Sequence, residues 1–156
     1  MSMNTLRFRK ARVGDVKDIQ ILLRDCAKRG ELLPRALTHL YKHVRDFSVA
    51  ELDDGRLAAC CGLSTIWEDL AEVRSLVVDD AFRGQGLGRR IVRECLGEAD
   101  SLGVQRVFAL TYQEGFFRKL GFAAVDKDVL PQKIWADCIH CPKYPDCDET
   151  AVLLHL

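Results

Sequence analysis

Val73-Arg74-Ser75-Leu76-Val77-Val78-Asp79-Asp80-Ala81-Phe82-Arg83-Gly84-Gln85-Gly86-Leu87-Gly88-Arg89-Arg90 is the stretch that decides the fold. A β-branched run leads into a glycine-rich turn, and the turn opens an amphipathic helix. Glycines at alternate positions 84, 86 and 88 carry no Cβ, so their backbone N–H groups can converge on one point. The helix behind them adds the positive end of its dipole. Together these features predict a cradle for a pyrophosphate. The spacing is neither Gly-x-Gly-x-x-Gly of dinucleotide sites nor the triphosphate loop, which needs a Lys-Ser or Lys-Thr after its last glycine.

Composition narrows the class. The chain has 156 residues, 48% of them hydrophobic, enough for one domain with a sizeable core. Its 23 basic side chains balance 23 acidic ones, so charge makes no case for nucleic acid or an anionic membrane as partner. No apolar run approaches the ~20 residues that span a bilayer. Met1-Ser2-Met3-Asn4-Thr5 has no apolar signal region, which predicts a cytoplasmic protein. The seven cysteines are then expected to be mostly thiols. Cys26, Cys60, Cys61 and Cys95 fall on apolar helix faces or a strand, as small core residues do.

Outward from the glycine turn, the pattern predicts alternating strands and helices. Leu6 to Arg12 alternates as a half-buried strand. Asp15 is expected to cap a helix carrying Ile19, Leu22, Leu23 and Cys26, which Gly30 ends. Leu37, Leu40, Tyr41 and Val44 mark a second helix. Strands 47–52 and 57–67 flank the turn Asp53-Asp54-Gly55, and a further strand covers 71–78. The helix after the glycines presents Leu87, Ile91, Val92, Cys95, Leu96 and Ala99 on one side and stops at Gly103. An apolar strand, 104–110, follows. Then come a helix at 115–120 and strands near 122–125 and 151–154.

Arg83-x-x-Gly86-x-Gly88 resembles the coenzyme A signature of the GNAT N-acetyltransferase superfamily, and Phe116-Phe117-Arg118-Lys119-Leu120-Gly121-Phe122 resembles that superfamily's short helix ending in Gly-Phe. The predicted order β-α-α-β-β-β-α-β-α-β-β matches its layout. The resemblance implies an α/β fold in one domain over residues 1–156, a splayed mixed sheet with helices on both faces. It also implies acetyl-CoA as co-substrate, lying along Leu76, Val77, Val78, Arg83, Gly84, Gln85, Gly86, Leu87, Gly88, Arg89, Phe116 and Phe117. The acetyl arm would enter where strand 71–78 parts from strand 104–110.

Acetyl transfer from a thioester needs a deprotonated amine, a polarised carbonyl and a leaving thiolate. A backbone N–H near Leu76 can polarise the carbonyl. Glu72 lies four residues before Leu76, which predicts a shared strand face, and can take the amine proton, through a water. The alternative for Glu72 is a solvated strand residue. Many superfamily members place a tyrosine acid four residues before the Gly-Phe pair, and here that position is Phe117. Tyr112 is the nearest phenol, either the acid or a ring packed under the cofactor. A thiolate can also leave without an acid.

The acceptor is suggested by two further segments. Gly30-Glu31-Leu32-Leu33-Pro34-Arg35 and Leu130-Pro131-Gln132-Lys133-Ile134-Trp135-Ala136-Asp137-Cys138 resemble the acetyltransferase domain of the N-acetylglutamate synthase family in its short bacterial form. That implies L-glutamate as acceptor. Arg35 would hold one carboxylate, Arg74 or Lys133 the other, with Ser75 and Gln113 lining the site. The family's Arg and Ser near the last strand are replaced by Cys147-Asp148-Glu149-Thr150, which keeps glutamine, another small amine and a protein N-terminus open as acceptors. A non-catalytic coenzyme A or zinc-linked module is the reading from another class. Cys138-x-x-Cys141-x5-Cys147 has zinc-like spacing but lacks a second Cys-x-x-Cys. No metal is expected, the alternative being a cysteine-rich loop with or without one disulfide. A homodimer is left open.

Overall fold

The computed structural model describes residues 5–28, 36–130 and 148–156. Strands β1 (Arg7–Lys10), β2 (Phe47–Glu51), β3 (Leu57–Trp67), β4 (Leu70–Val78), β5 (Arg106–Thr111), β6 (Ala123–Val125) and β7 (Thr150–His155) form a seven-stranded sheet in the order β1-β2-β3-β4-β5-β7-β6. Helices α1 (Val16–Lys28) and α2 (Leu37–Lys42) follow β1, α3 (Leu87–Leu102) joins β4 to β5, and α4 (Glu114–Lys119) follows β5. The element order is the one the pattern predicts. β4 and β5 are parallel, and β5–β7 and β6–β7 are antiparallel. A parallel pair needs a long crossover, which α3 supplies.

The chain divides into two compact units, residues 1–63 with 73–97, and residues 64–72 with 98–156. In the first, α1 turns Val16, Ile19, Leu22, Leu23 and Cys26 onto Leu40, Phe47, Val49, Leu57, Cys60 and Val77. Ile19 and Leu23 are almost fully buried, and each such side chain stabilises by about 1.5–3 kcal/mol over its exposed form. Cys26, Cys60, Cys61 and Cys95 are buried free thiols, as expected of core residues. Burial pushes the Cys60 thiol up to about 12, far from the reactive range. In the second unit Leu70, Phe108, Leu130, Ala151 and Leu153 form the core, with Ile66, Leu110 and Val125 against it.

Two glycines stop the helices by one device. After α3, Gly103 takes φ +85°, its N–H reaches Asp100 O, and Val104 N–H reaches Ala99 O. After α4, Gly121 takes φ +99°, its N–H reaches Arg118 O, and Phe122 N–H reaches Phe117 O. This is the left-handed C-cap, in which the residue after the glycine packs back on the last turn. The Phe117 and Phe122 rings meet edge to face at 5.2 Å, which is that contact. The first cap also explains why β5 begins at Arg106: Val104 is occupied in ending the helix.

Asp15 departs from its expected place as cap of α1. It closes a 3-10 turn, Val13–Asp15, and accepts the Arg12 N–H at 2.7 Å. Its two oxygens also take the Arg9 guanidinium at 2.7 and 3.0 Å, and Arg9 reaches Glu51 at 2.8 Å. The Arg9 side chain is 16% exposed, so removing a partner strands a largely desolvated cation. Arg9 holds the Asp15 carboxyl below the usual carboxylate range. A lowered folded value stabilises above the unfolded value of about 4 and is lost as pH falls through the folded one. Asp15→Asn should therefore cost about 1–3 kcal/mol at pH 7. The gap to wild type should narrow in strong acid. Urea midpoints at pH 7 and pH 3 check this, and equal midpoints at pH 7 would contradict it.

Candidate active site

The glycine turn is built from its flanks. Asp79 N–H bonds Ala58 O at 2.8 Å, and Asp79 Oδ1 accepts Ala81 N–H at 2.9 Å, capping a 3-10 turn at Asp80–Phe82. Phe82 is buried and anchors that turn. Arg83 pairs with Asp80 at 3.1 Å. Gly84 and Gly86 then take φ +79° and +78°, in the left-handed region that side chains disfavour. α3 starts at Leu87, and its first bond, Arg90 N–H to Gly86 O, is 3.2 Å.

Gly88 lies inside α3, so two glycines, not three, shape the turn. Leu87, Ile91, Val92 and Cys95 are fully buried and fix the helix from below, whereas Gln85 and Arg89 are exposed. A Cβ on Gly84 would meet nothing within 4 Å, and one on Gly86 only Arg89 Nη2 at 3.8 Å. The turn therefore has open space over it. The first N–H groups of a helix have no intrahelical acceptor. A pyrophosphate fits those donors, the dipole and the nearby Arg83 and Arg89.

β4 breaks its own alternation. Ser75 takes φ +57°, the single described non-glycine residue with positive φ. Such a conformation costs about 1–3 kcal/mol and persists only where the surroundings impose it. Ser75 is buried, and its carbonyl accepts the Cys60 thiol at 3.6 Å. The kink voids the alternation that put Glu72 and Leu76 on one face, because the period of two does not pass through a left-handed residue. Glu72 is 5% exposed, so it is not the solvated strand residue that the sequence allowed. The Val77 side chain belongs to the first unit's core.

After β5, Thr111 Oγ1 accepts Gln113 N–H at 2.7 Å, and Gln113 starts α4. Phe117 is buried between Phe116 and Phe122, edge to face with both, so its ring is a packing element. Phe116 is half-buried. Tyr112 is 43% exposed and its hydroxyl donates to Asp148 at 2.7 Å. Asp148 was not foreseen as its partner. Their pairing depends on β7 lying beside β5 from Thr111↔Thr150 onward.

Arg74 is half-buried beside Gly62, where a Cβ would stand 3.3 Å from Arg74 O and 3.5 Å from its Cγ. His39, His43, Asp46 and Phe47 complete a hollow around it. Sequence reading missed both histidines. Their i, i+4 spacing after the Leu-Pro segment was the available signal. Arg35, Lys133, Cys138, Cys141 and Cys147 lie outside the described residues. Among the described residues no group of three His, Cys, Asp or Glu could hold a metal ion, and no helix is long and apolar enough to cross a membrane.

The described site has a kinked strand followed by an open glycine turn at a helix start, the frame of an enzyme that grips a pyrophosphate-bearing acyl donor. The chain belongs to the acetyltransferase (GNAT) family, whose profile matches residues 17–122. It is 39% identical over 145 residues to an uncharacterized N-acetyltransferase of Chlorobaculum tepidum, covering 93% of each chain. It is 40% identical over 120 residues to an amino-acid acetyltransferase of Mycobacterium tuberculosis, covering 76% of this chain and 68% of that one. N-acetylglutamate synthase from Neisseria gonorrhoeae, solved with coenzyme A and N-acetyl-glutamate, superposes with TM-score 0.88 at 28% identity. That match covers 97% of this chain and 35% of the synthase, so the chain spans about a third of its length.

Proposed function

We propose that the protein transfers acetyl from acetyl-CoA to the α-amine of L-glutamate. The observation that carries this reading is the open turn at Gly84 and Gly86 directly behind the kink at Ser75, in a chain similar to proteins named amino-acid acetyltransferase. The N–H groups of residues 84–89 would hold the pyrophosphate, with Arg83 and Arg89 as cations beside it. The backbone of Leu76, Val77 and Val78 would hold the acyl arm, and an N–H near Leu76 would polarise the thioester carbonyl. Glu72 would take the proton of the attacking amine. Tyr112 would supply a proton to the thiolate, its hydroxyl oriented by Asp148. Arg35, Arg74, Ser75, Gln113 and Lys133 would receive the acceptor.

A thiol-release screen with acetyl-CoA across amino acids tests the reading. Glutamate should be among the best acceptors, and no release with any amino acid would refute it. One observation favours glutamine as the second acceptor. Asp148 puts a carboxylate close to the last strand, in the region where the resembled family has Arg and Ser. A carboxylate there suits an amide donor better than a second carboxylate.

Gly86→Val tests the cradle. At φ +78° a β-branched residue is strained, although space for it exists. The turn should flatten, and acetyl-CoA affinity should fall at least tenfold, about 1.4 kcal/mol, with circular dichroism unchanged. Unaltered affinity by titration calorimetry would remove the turn from the cofactor site.

A further inference from the structure

Cys60 packs as a core residue, and its thiol also reaches the backbone of the kink. It is fully buried, and β3 holds it in register with β2 at Val49↔Cys60. From there the thiol donates to the Ser75 carbonyl at 3.6 Å. The Val77 backbone N–H donates to the same sulfur. One side chain thus ties the two peptide groups that flank the Leu76 Cα. The neighbouring Cys61 thiol lies 3.9 Å from Arg74 O. Successive carbonyls of a regular strand point to opposite sides, yet those of Arg74 and Ser75 both have a β3 thiol beside them. The positive φ of Ser75 makes that possible. All these residues belong to the first unit.

A trans peptide carries its carbonyl and its N–H on opposite edges of one plane. The Ser75 carbonyl and the Leu76 N–H share such a plane. A thiol that holds the carbonyl on the core side therefore aims the Leu76 N–H the other way. The ladder of β4 with β5 runs from Leu70↔Arg106 to Glu72↔Phe108, so Leu76 lies beyond its end. Burial keeps the Cys60 proton in place at neutral pH, so the donor is always present. A thiol is a weak donor, but it acts on a peptide next to a left-handed residue, which holds its shape only where the surroundings impose it. Packing alone asks for an apolar side chain of this size and places no demand on where its proton points.

We infer that Cys60 is a positioning residue, which by bonding the Ser75 carbonyl aims the Leu76 N–H at the thioester carbonyl of acetyl-CoA. The inference rests on the proposed role of the Leu76 N–H and names the side chain that fixes its direction. Negative charge gathers on the thioester oxygen only as the amine attacks. A misaimed N–H should therefore slow the chemical step and leave cofactor binding nearly unchanged.

The test follows the carbonyl band of acetyl-CoA, isotopically labelled at the acetyl carbonyl, in difference infrared spectra without acceptor. Bound to the wild type, the band should fall below its free position. In Cys60→Ala that lowering should be at least halved. With the best acceptor of the thiol-release screen, kcat should drop at least tenfold in this variant, while KM for acetyl-CoA stays within about threefold. Cys60→Ser restores the donor, and should keep the lowered band and a kcat within about threefold of wild type. A folded Cys60→Ala with the wild-type band and kcat overturns the proposal, as does a folded Cys60→Ser that performs no better than Cys60→Ala. Cys60→Val takes the place of the alanine variant if that one does not fold. A wild-type spectrum with no S–H stretch lowered from the free-thiol position overturns the proposal with no variant at all. An acetyl carbonyl unshifted on the wild type sinks the Leu76 reading itself, a different result from an equal shift in wild type and Cys60→Ala.

Discussion

Glu72→Gln is expected to lower kcat by ~10²-fold or more, the usual loss for a removed acid–base group. The substitution keeps the shape and removes the basicity. Glu72 sits within Leu70–Val73, a run buried throughout, at 5% exposure. In the proposed reaction a base is needed, because an ammonium has no lone pair to attack with. Acetyl-CoA affinity should hardly change, since Glu72 precedes the kink and the glycine turn follows it. Steady-state thiol release near neutral pH decides. A variant with wild-type kcat refutes the assignment and leaves the amine to lose its proton to solvent.

Arg35→Ala carries the second large effect. Removing a charged hydrogen-bond partner from a desolvated site costs roughly 2–4 kcal/mol, so KM for glutamate should rise by ~30-fold or more, with KM for acetyl-CoA little changed. The choice of acceptor refines the result. If Arg35 holds the side-chain carboxylate, the variant should discriminate less between glutamate and glutamine. If it holds the α-carboxylate, both should suffer equally. Wild-type KM for every amino acid would take Arg35 out of the site, and with it much of the case for glutamate over a peptide amine.

The order of strands and helices was legible from local periodicity, because α1 and α3 repeat apolar residues on one face and β5 is apolar where it is covered. The glycine turn was legible for the same local reason: left-handed backbone at Gly84 and Gly86 is a property of residue type. So were the ends of α3 and α4 at Gly103 and Gly121, where a glycine and the next apolar residue close the helix together. Chemistry that depends on pairs distant in the chain was not legible. Asp15 looks like a helix cap until Arg9 claims its oxygens. Tyr112 gains Asp148, 36 residues away, only through the pairing of β5 with β7. Ser75 reads as an ordinary strand residue, since nothing in its neighbours demands φ +57°; the packing of β4 imposes it. His39 on α2 and His43 just after it line one hollow with Arg74 because residues 1–63 and 73–97 pack as one unit. Local propensity acts over a few residues and leaves its mark in the sequence. Side-chain partnership is set by which elements pack together, and tertiary structure alone decides that.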